Sequence, residues 1–150
     1  MAIRVSVQQQ DFDVGDACRS LTSSACGAIV QFVGVMRAHN EGDEVVSMLL
    51  EHYPGMTERS ITEIAEQAVA RWALGDVQVI HRVGTLQPGE KIVLVAVSAA
   101  HRQAAFSACE YIMDYLKTRA PFWKKEQLLD GRSRWVDARQ SDASAALRWD

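Results

Sequence analysis

Cysteine is scarce in this chain: Cys18, Cys26 and Cys109 are the three among 150 residues. Their number is odd and no two stand at CxxC spacing, which argues against a disulfide framework and a structural zinc site. A reducing cytoplasm is therefore the expected compartment. Long hydrophobic runs are also lacking. The longest, Ile92 to Ala100, falls far short of the roughly 18 residues a membrane span needs, and the first residues carry no apolar signal-peptide core. Neither export nor membrane insertion is expected. Positive charge is in deficit, with 16 Lys and Arg against 19 Asp and Glu and a formal net of −3, which speaks against general nucleic-acid binding. No GxGxxG or P-loop pattern supports a nucleotide cofactor, and no repeat, linker or low-complexity segment divides the chain.

What is present suits one globular domain spanning 1–150. Hydrophobic residues make up 48% and charged residues 23%, enough to bury a core without staples. One stretch, His101 to Lys125, is net basic, with five Lys and Arg against two Asp and Glu. At helical spacing Arg102, Phe106, Cys109, Met113 and Lys117 share a stripe, so a single helix carries a basic group at each end of an apolar face. Pro121 stops this helix near Arg119 or Ala120, because the residue before a proline is pushed out of the α region. The chain then leaves as a strand that brings Lys124 and Lys125 back towards Lys117. Alternation sends one of these two lysines to the patch and the other to solvent or a neighbour.

Elsewhere the pattern predicts a strand at Ile3 to Val7, a short helix at Asp13 to Leu21 and a strand at Cys26 to Met36, with Gly27 and Gly34 as bulges or places of close backbone approach. The polar segment Arg37 to Glu44 reads as the long tip of a hairpin whose returning strand is Val45 to Tyr53. A helix follows from about Thr57 to Ala73, with Gly75 placed to stop it. Val77, Val79, His81 and Val83 alternate as one strand, with His81 as a structural histidine. Lys91 to Ser98 reads as a strand covered on both faces. Phe122 to Leu129 and Ser133 to Ala138 form a last hairpin about Asp130-Gly131, and the tail from Gln140 is a short helix or loosely ordered. The fold class is α+β, two-layer, with two main helices on a largely antiparallel sheet and a C-terminal β-hairpin.

The residues themselves point to a basic, partly apolar pocket for an anionic small molecule. His101 and Arg102 stand at a strand-to-helix junction, where free backbone N–H groups can meet an anion. Arg37 on the hairpin tip is either a solvated loop residue or a clamp over the patch. Lys117 lies between apolar neighbours and other cations, where an amine is a usable nucleophile or proton donor. His39 and His52 form no recognisable metal set.

The ordered motifs FVGVMRAHNEGDEV, LEHYPGM, VIHRVGTLQPGE, SAAHRQAAF, DYLKTRAPFWKKE and RWVDAR, spread from about Gly27 to Asp142, closely resemble the large, catalytic subunits of molybdopterin synthase. The resemblance implies a sulfurtransferase of molybdenum cofactor biosynthesis. It implies a homodimer within a heterotetramer, each large subunit binding a small ubiquitin-like sulfur-carrier subunit whose C-terminal Gly-Gly thiocarboxylate enters the pocket. Two sulfurs pass to cyclic pyranopterin monophosphate and form the dithiolene of molybdopterin. Lys117 and Lys124 fall on the lysines associated with catalysis. Arg37, His101 and Arg102 fall on substrate-binding positions, while Phe32, Met113 and Pro121 would shape the apolar walls. Neither a metal nor an organic cofactor is expected. The alternatives are a non-enzymatic dimeric scaffold for the carrier or an anionic metabolite and, more weakly, a nucleic-acid binder using Phe122 and Trp123. Two placed amines favour the enzyme, since a scaffold needs charge alone.

Overall fold

The computed structural model describes residues 2–136 and 140–150. Its elements in chain order are β1 (Ile3–Gln8), α1 (Val14–Leu21), β2 (Ala28–Val35), β3 (His39–Asn40), β4 (Asp43–His52), α2 (Met56–Trp72), β5 (Val77–Arg82), β6 (Gly84–Leu86), β7 (Lys91–Ala99), α3 (Arg102–Thr118), β8 (Phe122–Leu128), β9 (Ser133–Val136) and α4 (Gln140–Leu147). The α+β class, the two main helices and the C-terminal hairpin are as the sequence leads one to expect. The last two residues of that hairpin, Asp137 and Ala138, and the end of the RWVDAR motif lie outside the described residues.

The strands divide between two sheets. The first has the order β1-β5-β7-β2, with β1 parallel to β5 and the other pairs antiparallel. Its central strand β7 is the nearly continuous apolar run, and both faces are covered as expected. Val93, Val95, Val97 and Ala99 pack with Ile61, Ile64, Ala105, Ala108 and Ile112 of α2 and α3, while Leu94 and Ala96 pack with Phe12, Ala17 and Leu21 around α1. Each fully buried aliphatic side chain of this kind contributes about 1.5–3 kcal/mol, so this two-sided strand fixes the register of everything around it. α1 is begun by Asp13, whose side chain accepts the Asp16 N–H at 2.9 Å. α3 ends at Arg119, whose N–H reaches the Tyr115 carbonyl at 2.8 Å, two residues before Pro121.

The second sheet runs β3-β4-β8-β9, with β6 on β4, over a smaller core of Met36, Val45, Met48, Leu50, Leu86 and Leu128. Here the sequence reading needs correction. β2 and β4 are not the two arms of a hairpin: β2 pairs with β7 in the first sheet, and β4 pairs with β8, β6 and β3 in the second. The chain crosses between sheets at Met36, whose burial in the smaller core commits it to that crossing. The tip Arg37 to Glu44 contains its own small hairpin, with His39 opposite Glu44 and Asn40 opposite Asp43. β6, opposite Met48 to Leu50, was not anticipated, and β5 ends at Arg82 rather than Val83.

Two glycine expectations hold and one does not. A Cβ on Gly27 would stand 2.5 Å from the Ala100 carbonyl oxygen, and one on Gly34 would stand 2.7 Å from a Val93 methyl, beside the register shift that ends β2. Gly75 does not stop α2. Ala73 takes the left-handed conformation at φ 51° and closes the helix, while Gly75 lies against Cys26 and Ser98, where a Cβ would come within 2.6 Å of both side chains.

Candidate active site

A cavity of about 430 Å³ opens where the two sheets meet, at the end of β2, the start of β7, the C-terminal end of α3 and the inner face of β8. Arg37, Lys117, Lys124, Phe32 and Met113 all line it, brought from three separate segments. The route of each is local. Met113 and Lys117 are one turn apart on the stripe of α3 whose Cys109 lies in the core. Lys124 comes round on β8 after the Pro121 break, between Phe122 and Glu126, which line the cavity with it. Strand alternation turns Lys125 to the opposite face, where its Nζ lies 5.5 Å above the Trp135 ring.

Pro121 is half-buried between Ala120 and Phe122, two residues of the wall, and is not itself on the wall. His101 and Arg102 are not there at all. Both are exposed at the far end of α3, and the fifteen residues from Arg102 to Lys117 span about 22 Å of helix. One chain therefore carries two cationic sites, a three-cation cavity and a His-Arg pair at the helix start, which the sequence stripe had drawn as one.

Behind the cavity the small hairpin is clamped by Arg134 of β9. Its Nε donates to Glu126 Oε1 at 2.9 Å, one terminal nitrogen to Asp43 at 2.9 Å and the other to the Asn40 carbonyl at 2.9 Å. Asn40 Nδ2 donates to the second Glu126 oxygen at 3.0 Å. Glu126, only 6% exposed, is thus a satisfied buried carboxylate that ties three strands together beside Arg37. Sequence reasoning missed it, although its alternation with Phe122 and Lys124 on β8 was the available signal.

His81 is the other residue missed, since it was read as structural only. It is 8% exposed, its Nδ1–H donates to the Arg82 carbonyl at 2.8 Å, and its ring stacks on Phe122 with centroids 3.8 Å apart and planes 19° from parallel. Burial, helped by the charges of Lys117 and Lys124, pushes it down to about 3, so the ring is neutral across the working range. It also lines the cavity.

None of the three cysteines lines the cavity. Cys109 is buried in the larger core, and desolvation pushes its thiol up to about 11, leaving it protonated and unreactive. Among the described residues no group of three or more His, Cys, Asp or Glu is arranged to hold a metal ion. No helix among them is long and apolar enough to cross a membrane. The arrangement can bind an anionic ligand in a partly apolar pocket and place two amines against its reacting end.

Residues 7–119 match the family described as MoaE protein. The chain is 59% identical over 148 residues to the molybdopterin synthase catalytic subunit of Vibrio cholerae, covering 98% of each chain. The structure of a molybdopterin biosynthesis MoaE protein from Burkholderia ambifaria superposes with a TM-score of 0.83 at 48% identity, covering 99% of this chain and 98% of the other. The structure of molybdopterin synthase from Staphylococcus aureus superposes with a TM-score of 0.81 at 30% identity, covering 87% of this chain and 95% of the other.

Proposed function

Because this chain belongs to the MoaE protein family, we propose that it is the catalytic subunit of a molybdopterin synthase. It moves sulfur from the C-terminal thiocarboxylate of a small ubiquitin-like carrier to cyclic pyranopterin monophosphate. The observation that carries this reading is the cavity that gathers Arg37, Lys117 and Lys124 around Phe32 and Met113. Both reactants are anions, and three donors converge on one apolar pocket of a size to hold a peptide end against a small heterocycle. Lys117 is the amine nearest the reacting centre, and Lys124 transfers a proton or stabilises developing negative charge. The absence of cysteine from the wall fits a sulfur that arrives already activated on the carrier and passes directly to the substrate. The compartment is the cytoplasm, where three free cysteines are at home.

The placement of His101 and Arg102 supports a dimer as the working unit. β2 is an outer strand of its sheet, and along it Phe32 is 41% exposed, Val35 49% and Phe106 of α3 60%. α3 runs alongside β2 in the same direction, with Arg102 at the Ala28 end and Lys117 at the Val35 end. A two-fold axis through the middle of that edge lays the helix start of one protomer beside the cavity of the other. In this reading His101 and Arg102 supply the phosphate contact of the partner's site.

The test is reconstitution with thiocarboxylated carrier and cyclic pyranopterin monophosphate, followed by assay for molybdopterin. Wild-type protein should form product. Lys117→Ala should nearly abolish it with dimer and carrier binding retained, as should Lys117→Arg, which keeps charge but cannot deprotonate in the working range. An arginine variant at near wild-type rate would reduce Lys117 to an electrostatic contact. No product from wild-type protein would overturn the reading.

A further inference from the structure

We infer that His81 is a positioning residue for Lys117: its Nε2 accepts a hydrogen bond from the Lys117 amine and holds that amine inside the cavity. The inference rests on the functional reading above only in giving Lys117 a chemical role; the pairing itself is argued from the cavity wall that the two residues share, where each is unbonded.

The ring of His81 has no freedom. Phe122 stacks on one face at 3.8 Å, and Nδ1–H is committed to the Arg82 carbonyl at 2.8 Å. A neutral imidazole with Nδ1 protonated carries its lone pair on Nε2. That atom has no hydrogen-bond partner among the described residues, and it is not sealed away, since the buried side-chain polar atom left without a partner is Glu58 Oε1. His81 lines the cavity, and Nε2 is its uncommitted polar atom. There, too, stands Lys117, which has neither ion pair nor hydrogen bond among the described residues. The Lys117 donor and the Nε2 acceptor thus stand unbonded in one cavity wall, which they share with Arg37, His39 and Asp142.

Several of the other charged groups of the wall are already committed or are themselves donors. Both oxygens of Glu126 are taken by Arg134 and Asn40, and Arg37 and Lys124 are donors. Asp142 of α4 and His39 of the small hairpin also line the cavity, and His52 of β4 stands near Phe122 with ring centroids 6.4 Å apart. His81 has the further property that it keeps its lone pair in acid. The burial that pushes it down to about 3 leaves it an acceptor wherever a lysine ammonium can be observed.

The physical benefit is orientation. A lysine at the end of a helix has four rotatable bonds, and an acceptor fixed by stacking and by its own backbone bond selects the rotamers that point inward. Carbon chemistry at a bound substrate is sensitive to that placement, and an amine misplaced by an ångström loses on the order of 100-fold in rate.

Two variants separate the acceptor from the ring. His81→Phe keeps the stack on Phe122 and removes Nε2, whereas His81→Gln removes the ring and keeps an acceptor at nearly the same place. The first readout is the Lys117 ammonium signal in nitrogen-15 NMR of the free protein at about pH 6, where a hydrogen-bonded ammonium exchanges slowly with water. Neither carrier nor pterin is present, so this arm is independent of the proposed activity. Slow exchange in wild type, lost in His81→Phe and kept in His81→Gln, supports the inference. Slow exchange kept in a folded His81→Phe overturns it, as does the absence of a protected Lys117 signal in wild type. If the phenylalanine variant does not fold, His81→Gln decides alone: a protected Lys117 supports the contact and an unprotected one removes it. The second readout is turnover. His81→Phe should lower kcat by on the order of 10- to 100-fold with little change in the KM for the pterin, and His81→Gln should recover part of the loss. A raised KM with unchanged kcat would mean that Nε2 reads the substrate instead, and would overturn the positioning role.

Discussion

His81 shows how one residue can report its surroundings through stability as well as chemistry. Its ring is neutral in the folded protein down to about pH 3, whereas in the unfolded chain it takes up a proton near its ordinary value of 6.5. The folded value is depressed, so the contribution to stability is whole above about pH 6.5 and is lost progressively as the pH falls towards 3. Within that window the unfolded state binds up to one proton more, a slope of about 1.4 kcal/mol per pH unit. Urea denaturation of wild-type protein between pH 7 and 4 should show this loss beside that of the carboxylates, and His81→Phe should show a shallower slope. Equal slopes in the two proteins would mean that the ring is protonated in the fold. Buried histidines on alternating strands are usually structural, and nothing in the pattern Val77, Val79, His81 revealed that Phe122, forty-one residues later, would stack on this one at a cavity wall.

Single elements were legible where local physics is sufficient. The stripe of α3, the Pro121 stop, the two-faced β7 and the alternation of Lys124 and Lys125 all follow from periodicity and backbone sterics, and each is found in the structure. Gly75 was misread for the opposite reason. A glycine shortly after a helix normally marks its cap, yet the constraint here comes from Cys26 and Ser98, distant in sequence, which crowd the backbone. Gly75→Ala should therefore destabilise the protein by about 1–3 kcal/mol through overpacking, measured by thermal or urea unfolding. A neutral effect would show that the two side chains move aside freely. The mispaired β2 and β4 have the same origin. Two strands joined by a mostly polar segment of eight residues look like a hairpin until the burial of Met36 sends the chain to a second sheet, and that core exists only once β8 has returned. The Arg134 clamp on Glu126 and Asn40 was hidden likewise, because its partners are 8 and 94 residues away.

At the scale of the whole molecule, the exposed edge formed by β2 and Phe106 is the feature with most at stake. Phe106→Glu puts a charge into the proposed dimer face without touching the cavity, so sedimentation should show a monomer, and product formation should fall although Arg37, Lys117 and Lys124 remain in place. A stable dimer in this variant would move the interface elsewhere. In the proposed dimer α3 would be a shared part, with its last turn serving its own protomer and its first turn serving the neighbour. Allelic complementation follows from that arrangement. Lys117→Ala and Arg102→Ala proteins should each be impaired alone, because every pocket of either homodimer would carry a lesion. When they are unfolded and refolded together, each mixed dimer holds one pocket with both defects and one with none, so activity returns to roughly a quarter of wild-type sites for random pairing. Pockets built from a single chain would return nothing on mixing.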